Sequence, residues 1–210
     1  MIFFTSDPHF GDKRIIKNEP RRKEFKTVKE MDNFIIERWN DVVAAEDTIY
    51  ILGDFFKGRN PNNITEIMEL LNGKKILIKG NNDTEERLEV MRPFLESEHD
   101  LLEVDYEEQK YILCHYPMLE WKGQYRGSIH LYGHVHSSQM YNGILSASNS
   151  YHVGLDTNDL TPVSIDQINS KLIRCKHENI SKSNYGTLAY CLDCGKCLER
   201  YIINGKQLWL

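Results

Sequence analysis

The chain has 210 residues, 40% hydrophobic and 27% charged, with a formal net charge of −5. That length allows one well-buried core plus a small appendage, and no apolar run approaches the roughly 18 residues of a membrane span. The opening MIFFTSD lacks a basic leader and a cleavage site, so it reads as a first strand and a cytoplasmic protein is expected.

The charge is unevenly spread. Residues 171–210 hold seven Lys/Arg against three Asp/Glu, or +4, leaving 19 against 28, or −9, in the body before them. An acidic body argues against nonspecific DNA binding, while the basic tail could touch nucleic acid. Five cysteines do not make a disulfide framework. Four of them fall in the last 36 residues with metal-like spacing, and Cys114 stands alone as a small buried apolar residue.

In chain order, residues 1–5 form an apolar strand that ends in Ser6-Asp7. Residues 28–43 carry Val28, Met31, Phe34, Ile35, Trp39, Val42 and Val43 at helical spacing, so one face of that helix must lie on a sheet. A buried strand over 48–52 ends in Gly53-Asp54, a helix over 64–71 is stopped by Asn72-Gly73, and a strand over 75–79 ends in Gly80-Asn81. This alternation predicts parallel strands with crossover helices, an α/β fold with ligands at the carboxyl ends of the strands. Strands at 101–106 and 110–114 pair as a hairpin across Glu107-Glu108-Gln109, and further strands are expected at 129–132, 151–155 and 163–165. The polar stretch 156–170 joins body to tail through one short helical turn after Pro162, which divides the chain into domains 1–170 and 171–210.

Each strand end carries potential metal ligands: Asp7-Pro8-His9, Gly53-Asp54, Gly80-Asn81-Asn82-Asp83, Cys114-His115 and Gly133-His134-Val135-His136. Two carboxylates, one amide oxygen and four imidazoles suit borderline divalent ions such as Mn, Fe, Co, Ni or Zn. At a strand end, residues i and i+2 point the same way and can share one pocket.

These motifs, in this order over residues 1 to about 156, resemble the calcineurin-like metallophosphoesterase family, as do TSDPHFGDKRIIK, MDNFIIERWNDVV, LCHYPMLEW and IHLYGHVHS. The resemblance implies an αββα sandwich and two divalent metal ions (Mn, Fe, Ni or Zn). The first would be held by Asp7, His9, Asp54 and His136, the second by Asp54, Asn81, His115 and His134, with Asp54 bridging. It implies hydrolysis of a phosphate ester, with a phosphodiester of nucleotide origin as the expected small substrate. Asp54, Asn82 and Asp83 are the expected catalytic residues, and Asp12, Arg14 and Asn82 the expected substrate contacts.

One departure bears on mechanism. The histidine that usually follows Gly-Asn, and protonates the leaving group, is Asn82 here. An amide has no titratable proton near neutrality. Either the leaving group is a good one, or His152, Asp83 or Asp12 serves, or the site binds its ligand and turns over slowly. Asp12 also stands where the branch often has histidine. Tyr116, Trp121 and Tyr125 could stack on a base, although anchoring of their own loop is the simpler reading. Arg14 and Lys79 could reach a phosphate, and His99 and His130 read as surface or packing residues.

In the tail, Cys175-x-His177 and Cys191-x2-Cys194-Gly195 read as a small zinc-ribbon or treble-clef module with one structural zinc. Residues 188–191 and 198–203 should form its hairpin, with a second turn at Asn204-Gly205 and Cys197 left over. Two rival functions stay open: a DNA or RNA nuclease gripping its substrate through the tail, and a catalytically weak binding protein.

Overall fold

The computed structural model describes residues 1–138 and 149–172, apart from the Tyr125 side chain, and the backbone of 180–182, 188–191, 197–203 and 206–209. In the first sheet β1 (Ile2–Thr5), β2 (Thr48–Ile51), β3 (Lys74–Ile78) and β4 (Leu95–His99) run parallel, and β9 (Val163–Ser164) pairs antiparallel with β1. In the second, β5 (Leu101–Tyr106) and β6 (Gln109–Cys114) form the expected hairpin, and β7 (Ile129–Tyr132) and β8 (Ser150–His152) continue it in parallel. The helices are α1 (Ile15–Asn18), α2 (Val28–Val42), α3 (Asn62–Leu70), α4 (Glu85–Met91) and α5 (Ile165–Leu172).

Strand alternation divides the apolar residues between two cores. Phe3, Ile49, Ile51 and Leu77 face a helical layer that includes Met31, Ile35 and Trp39. Phe4, Tyr50, Leu52 and Ile78 face Tyr111, Leu113, Ile129 and Leu131 of the second sheet. Each such side chain contributes about 1.5–3 kcal/mol on burial. Helix, sheet and sheet are therefore stacked as expected. The outer face of the second sheet carries His130 stacked at 5.4 Å on Tyr132, covered at 5.2 Å by Trp121 from a loop. Helix α5 instead adds Ile165 and Ile168 to the core between the sheets.

Several expectations need correction. Phe34 and Val42, read into the buried face of α2, are 37% and 39% exposed, and Phe34 rests on Phe25 at 5.3 Å. Cys114 is only half-buried. The strand expected at 151–155 ends at His152 and gives way to a 3-10 turn, Leu155–Thr157. The single turn after Pro162 is an eight-residue helix ending at Leu172. Helices α1 and α4 and strand β4 were not foreseen.

The tail forms a third, antiparallel sheet of β10 (Ile180–Lys182), β11 (Leu188–Cys191), β12 (Cys197–Ile203) and β13 (Lys206–Trp209). The expected 188–191 hairpin is there, and Ile203 opposes Lys206 across the second one. Cys175, His177, Cys194 and Asn204-Gly205 lie outside the described residues. Among the described residues, no helix is long and apolar enough to cross a membrane.

Helix α2 reaches toward the ligand loops through Asp32, whose two carboxylate oxygens lie 3.2 and 3.1 Å from the Gly11 amide that donates to them. Burial pushes this carboxyl up to about 6, against the pull of the Gly11 N–H and Arg22. The folded chain therefore holds this proton more tightly than the unfolded chain. Stability falls as pH rises through the window between about 4 and 6, and the penalty is complete above it. Asp32→Asn keeps an acceptor for Gly11 and removes the charge. It should stabilise the protein by roughly 1–3 kcal/mol near neutrality and hardly at all near pH 4. Thermal melts of both proteins at the two pH values check this, and an equal gain at both would exclude the charge as its source.

Candidate metal centre

The parallel order of the first sheet sets the loops after β1, β2 and β3 side by side, and β6 and β7 add theirs from the second sheet. Adjacent loops are joined by Asp7 N–H to Gly53 O at 3.0 Å, His9 N–H to Asp54 O at 3.1 Å and Gly133 N–H to His115 O at 2.9 Å. Glycine is required where backbones touch. A Cβ on Gly80 would lie 2.4 Å from Asp54 Oδ1, and one on Gly133 would lie 1.9 Å from Ser6 Oγ. Asp7, His9, Asp54, His134 and His136 all adopt positive φ, between 49° and 70°. That region is uncommon for residues with a side chain and tends to cluster at functional sites.

Two donor sets result. In one, Asp7 Oδ1 lies 3.7 Å from His9 Nε2 and 3.8 Å from His136 Nε2, and His9 Nε2 lies 3.5 Å from Asp54 Oδ2. In the other, Asp54 Oδ1 lies 3.7 Å from His115 Nε2, which is 3.2 Å from both Asn81 Oδ1 and His134 Nδ1. Donors about 2.1 Å from a shared ion sit roughly 3–3.6 Å apart, so both sets have ion-sized spacing. Asp7–His9–His136 and Asp7–Asp54–His115 are each compact enough to hold a metal.

The remaining hydrogen bonds hold the frame and leave several inward atoms unpartnered. Asp7 Oδ2 accepts from the His134 amide at 2.8 Å and lies 2.7 Å from Ser6 Oγ, whereas Asp7 Oδ1 and both His9 ring nitrogens are buried without a partner. Such orphaned atoms are costly in a dry interior unless a cation meets them. His115 donates from Nδ1 to Leu52 O at 2.7 Å and His136 donates from Nδ1 to Asp156 at 2.7 Å, which turns each Nε2 lone pair inward. Burial opposes charge on Asp7, yet His9, His136 and His115 together hold its carboxyl well below the usual range. Burial also opposes the His136 cation, but Asp156 and Asp7 outweigh it and raise that imidazole. His134 is lowered by burial and by His115. The donor chemistry, spacing and orphaned atoms fit a pair of divalent ions.

Other expected site residues have different surroundings. Asp83 is buried and accepts the amides of Asp54, Phe55 and Gly80 at 2.9, 3.1 and 2.8 Å, so it clamps two ligand loops together. Asn82 gives its backbone N–H to Asp54 Oδ1 at 2.8 Å and its side-chain amide to Asp54 Oδ2. Asp12 is buried and accepts the Arg14 amide at 2.8 Å, while the Arg14 side chain is 72% exposed. His152 is driven by burial down to about 4 and keeps an unpartnered Nε2. Lys79 pairs with Asp100 at 3.0 Å. Trp121 anchors its own loop through Ser128 O at 3.1 Å. Tyr116 is 44% exposed and sets its ring 4.9 Å from those of both His115 and His134.

Sequence reasoning missed the residue that braces this arrangement. Arg22 is fully buried; it grips Asp156 at 2.7 and 3.0 Å and donates to the carbonyls of Asp7 and Pro8, each at 2.7 Å. One guanidinium thus fixes the Asp7–His9 turn and, through Asp156, the ring of His136. Arg22→Met leaves a buried carboxylate without its partner and should cost roughly 3–5 kcal/mol of stability. Adding Asp156→Asn should recover part of that loss, read from denaturant unfolding of both variants.

The chain is similar to several known proteins. The calcineurin-like phosphoesterase superfamily domain matches residues 2–145. An uncharacterized protein of Methanocaldococcus jannaschii is 32% identical over 173 residues, spanning 80% of this chain and 88% of the relative. The gene 66 protein of Mycobacterium phage D29 is 27% identical over 188 residues, spanning 77% and 92%. Among solved structures, a protein of unknown function from Aquifex aeolicus superposes with a TM-score of 0.66 at 25% identity, over 81% of this chain and 98% of that one. The chain belongs to the calcineurin-like phosphoesterase superfamily.

Proposed function

We propose that the protein is a dinuclear metal-dependent hydrolase of phosphate esters, acting on a phosphodiester of nucleotide origin. Asp54 carries the argument: its Oδ2 faces His9 and its Oδ1 faces His115, as a carboxylate shared by two ions must. Asp7, His9, Asp54 and His136 would hold one ion, and Asp54, Asn81, His115 and His134 the other. When bound, such ions lower the pKa of water and offset charge on the phosphoryl oxygens. The chain's own residues supply the fixed frame. Ser6 and the His134 amide orient Asp7, Leu52 O orients His115, and Asp156 orients His136. Only two carboxylates, Asp7 and Asp54, belong to the donor sets, which leaves room for a singly charged diester.

Asn82 favours a second reading, a binding protein with weak turnover. Its amide cannot release a proton, and its backbone N–H and one side-chain N–H are already given to Asp54. A nuclease gripping through the tail is distinguished by nucleic-acid affinity that falls steeply with salt.

The deciding assay is Mn-dependent hydrolysis of bis(4-nitrophenyl) phosphate beside the mononitrophenyl ester. The diester should be cleaved preferentially, and Asp54→Asn should abolish turnover. Asn82→His should speed cleavage of a diester with an alcohol leaving group by roughly 10-fold or more. Silence of the metal-loaded protein on every ester would move it to the binding class.

For the tail, we infer one structural zinc held by Cys175, His177, Cys191 and Cys194. The strand register supports this, because Cys191 stands opposite Ile180, three residues past His177. A segment this small needs a metal for stability. The purified chain should retain one zinc that withstands mild chelation, and Cys191→Ser should lose it. Equal zinc content in both proteins would dismiss the site.

A further inference from the structure

We propose that Tyr116 selects the substrate by receiving a nucleobase on its exposed ring. This rests on the phosphoesterase reading and names the part of the substrate that the phosphate chemistry leaves open. Tyr116 directly follows His115, and its ring centroid lies 4.9 Å from those of both His115 and His134. The planes meet at 77° and 64°, so the ring packs edge-on with two imidazoles of one donor set. It nevertheless stays 44% exposed.

Holding the loop in place does not account for that position, because other groups pin residues 116–128. Trp121 donates from Nε1 to Ser128 O at 3.1 Å, and Ser128 Oγ donates to Lys122 O at 2.7 Å. His130 is fully enclosed; its Nδ1 donates to Ile112 O at 3.0 Å and its Nε2 accepts the Met118 amide at 3.2 Å. Trp121 covers that imidazole at 5.2 Å. None of these contacts uses the Tyr116 side chain. A buried histidine on β7 thus fixes the backbone two residues beyond Tyr116, which keeps the ring beside the donor set. Leu119 of the same loop is also exposed, so the loop turns two large apolar side chains to water.

An aromatic ring left half in water beside a buried polar site offers its surface to a ligand. A nucleoside carries its base one sugar away from its phosphate. A phosphate at the donor sets therefore brings the base toward a ring that touches them. Stacking on an aromatic face accepts any base, whereas an alkyl group gains only the contact area that it covers. The preference is thus for a base as such and not for one base.

The test uses Mn-loaded wild type, Tyr116→Leu and Tyr116→Phe with two diesters: the 4-nitrophenyl ester of adenosine 5′-phosphate and its counterpart lacking the base. The two share leaving group, sugar and charge. Wild type should favour the adenosine ester by roughly 10-fold or more in kcat/KM. Tyr116→Leu should bring that ratio below about 3, mainly by raising KM for the adenosine ester, and Tyr116→Phe should keep it. Calorimetry with the uncleavable methylenephosphonate analogues of AMP and of ribose 5-phosphate gives a readout independent of turnover. The AMP analogue should bind Tyr116→Leu about 10-fold more weakly than wild type, at equal Mn content, with a smaller change for the sugar analogue. No base preference in wild type, or an unchanged ratio in Tyr116→Leu, would overturn the assignment. Equal losses on both esters with Mn depleted would also overturn it, making Tyr116 only a cover for the ligand histidines. Silence of wild type on every ester, with base-dependent binding present and lost in Tyr116→Leu, would instead overturn the phosphoesterase reading and keep the base site.

Discussion

The constraint on which this molecule turns is the left-handed backbone at Asp7, His9, Asp54, His134 and His136. Each such residue carries strain of order 1–3 kcal/mol, which persists only where surrounding structure over-determines it. Here parallel strands bring their carboxyl ends to one edge, and loop-to-loop hydrogen bonds such as His9 N–H to Asp54 O lock the turns. Gly53, Gly80 and Gly133 sit where any side chain would collide with a neighbouring loop. The sheet order, the glycines and the apolar layers beneath the loops all serve that one geometry.

Arg22 shows how the strain is held. A buried ion pair by itself is weak evidence for stability, since desolvation offsets its attraction. Arg22 does more than pair with Asp156: it also satisfies the carbonyls of Asp7 and Pro8, which sharp turning removes from any strand ladder. An apolar replacement of equal volume would leave those carbonyls buried and unpaired.

Much of this was legible because the information is local. D-x-H, G-D and H-x-H place ligands by spacing within a few residues, and continuous apolar runs mark the central strands, buried on both faces. The less legible parts have physical reasons. Strand β4 reads LESEH because it is an edge strand paired on one side only, so it shows no apolar run. Helix α4 buries only Leu88 and Met91, too few for a period. Phe34 and Val42 fit the helical spacing of α2, yet they lie outside the contact, because spacing does not fix how wide a buried face is. Arg22 and Asp156 are 134 residues apart, and nothing in either neighbourhood announces the pair.

The placement of charge connects the frame to the chemistry. An acidic body would be expected to repel an anionic substrate, but its buried carboxylates are not equivalent. Asp83 is spent on three backbone amides and Asp156 on Arg22 and His136, so neither presents a free lone pair to the centre. Asp7 Oδ1 alone among these carboxylate oxygens is buried with nothing to accept from. Asn81 and Asn82 then add an oxygen donor and an N–H donor without adding charge. The field at the centre is therefore set less by net charge than by which charges are already answered.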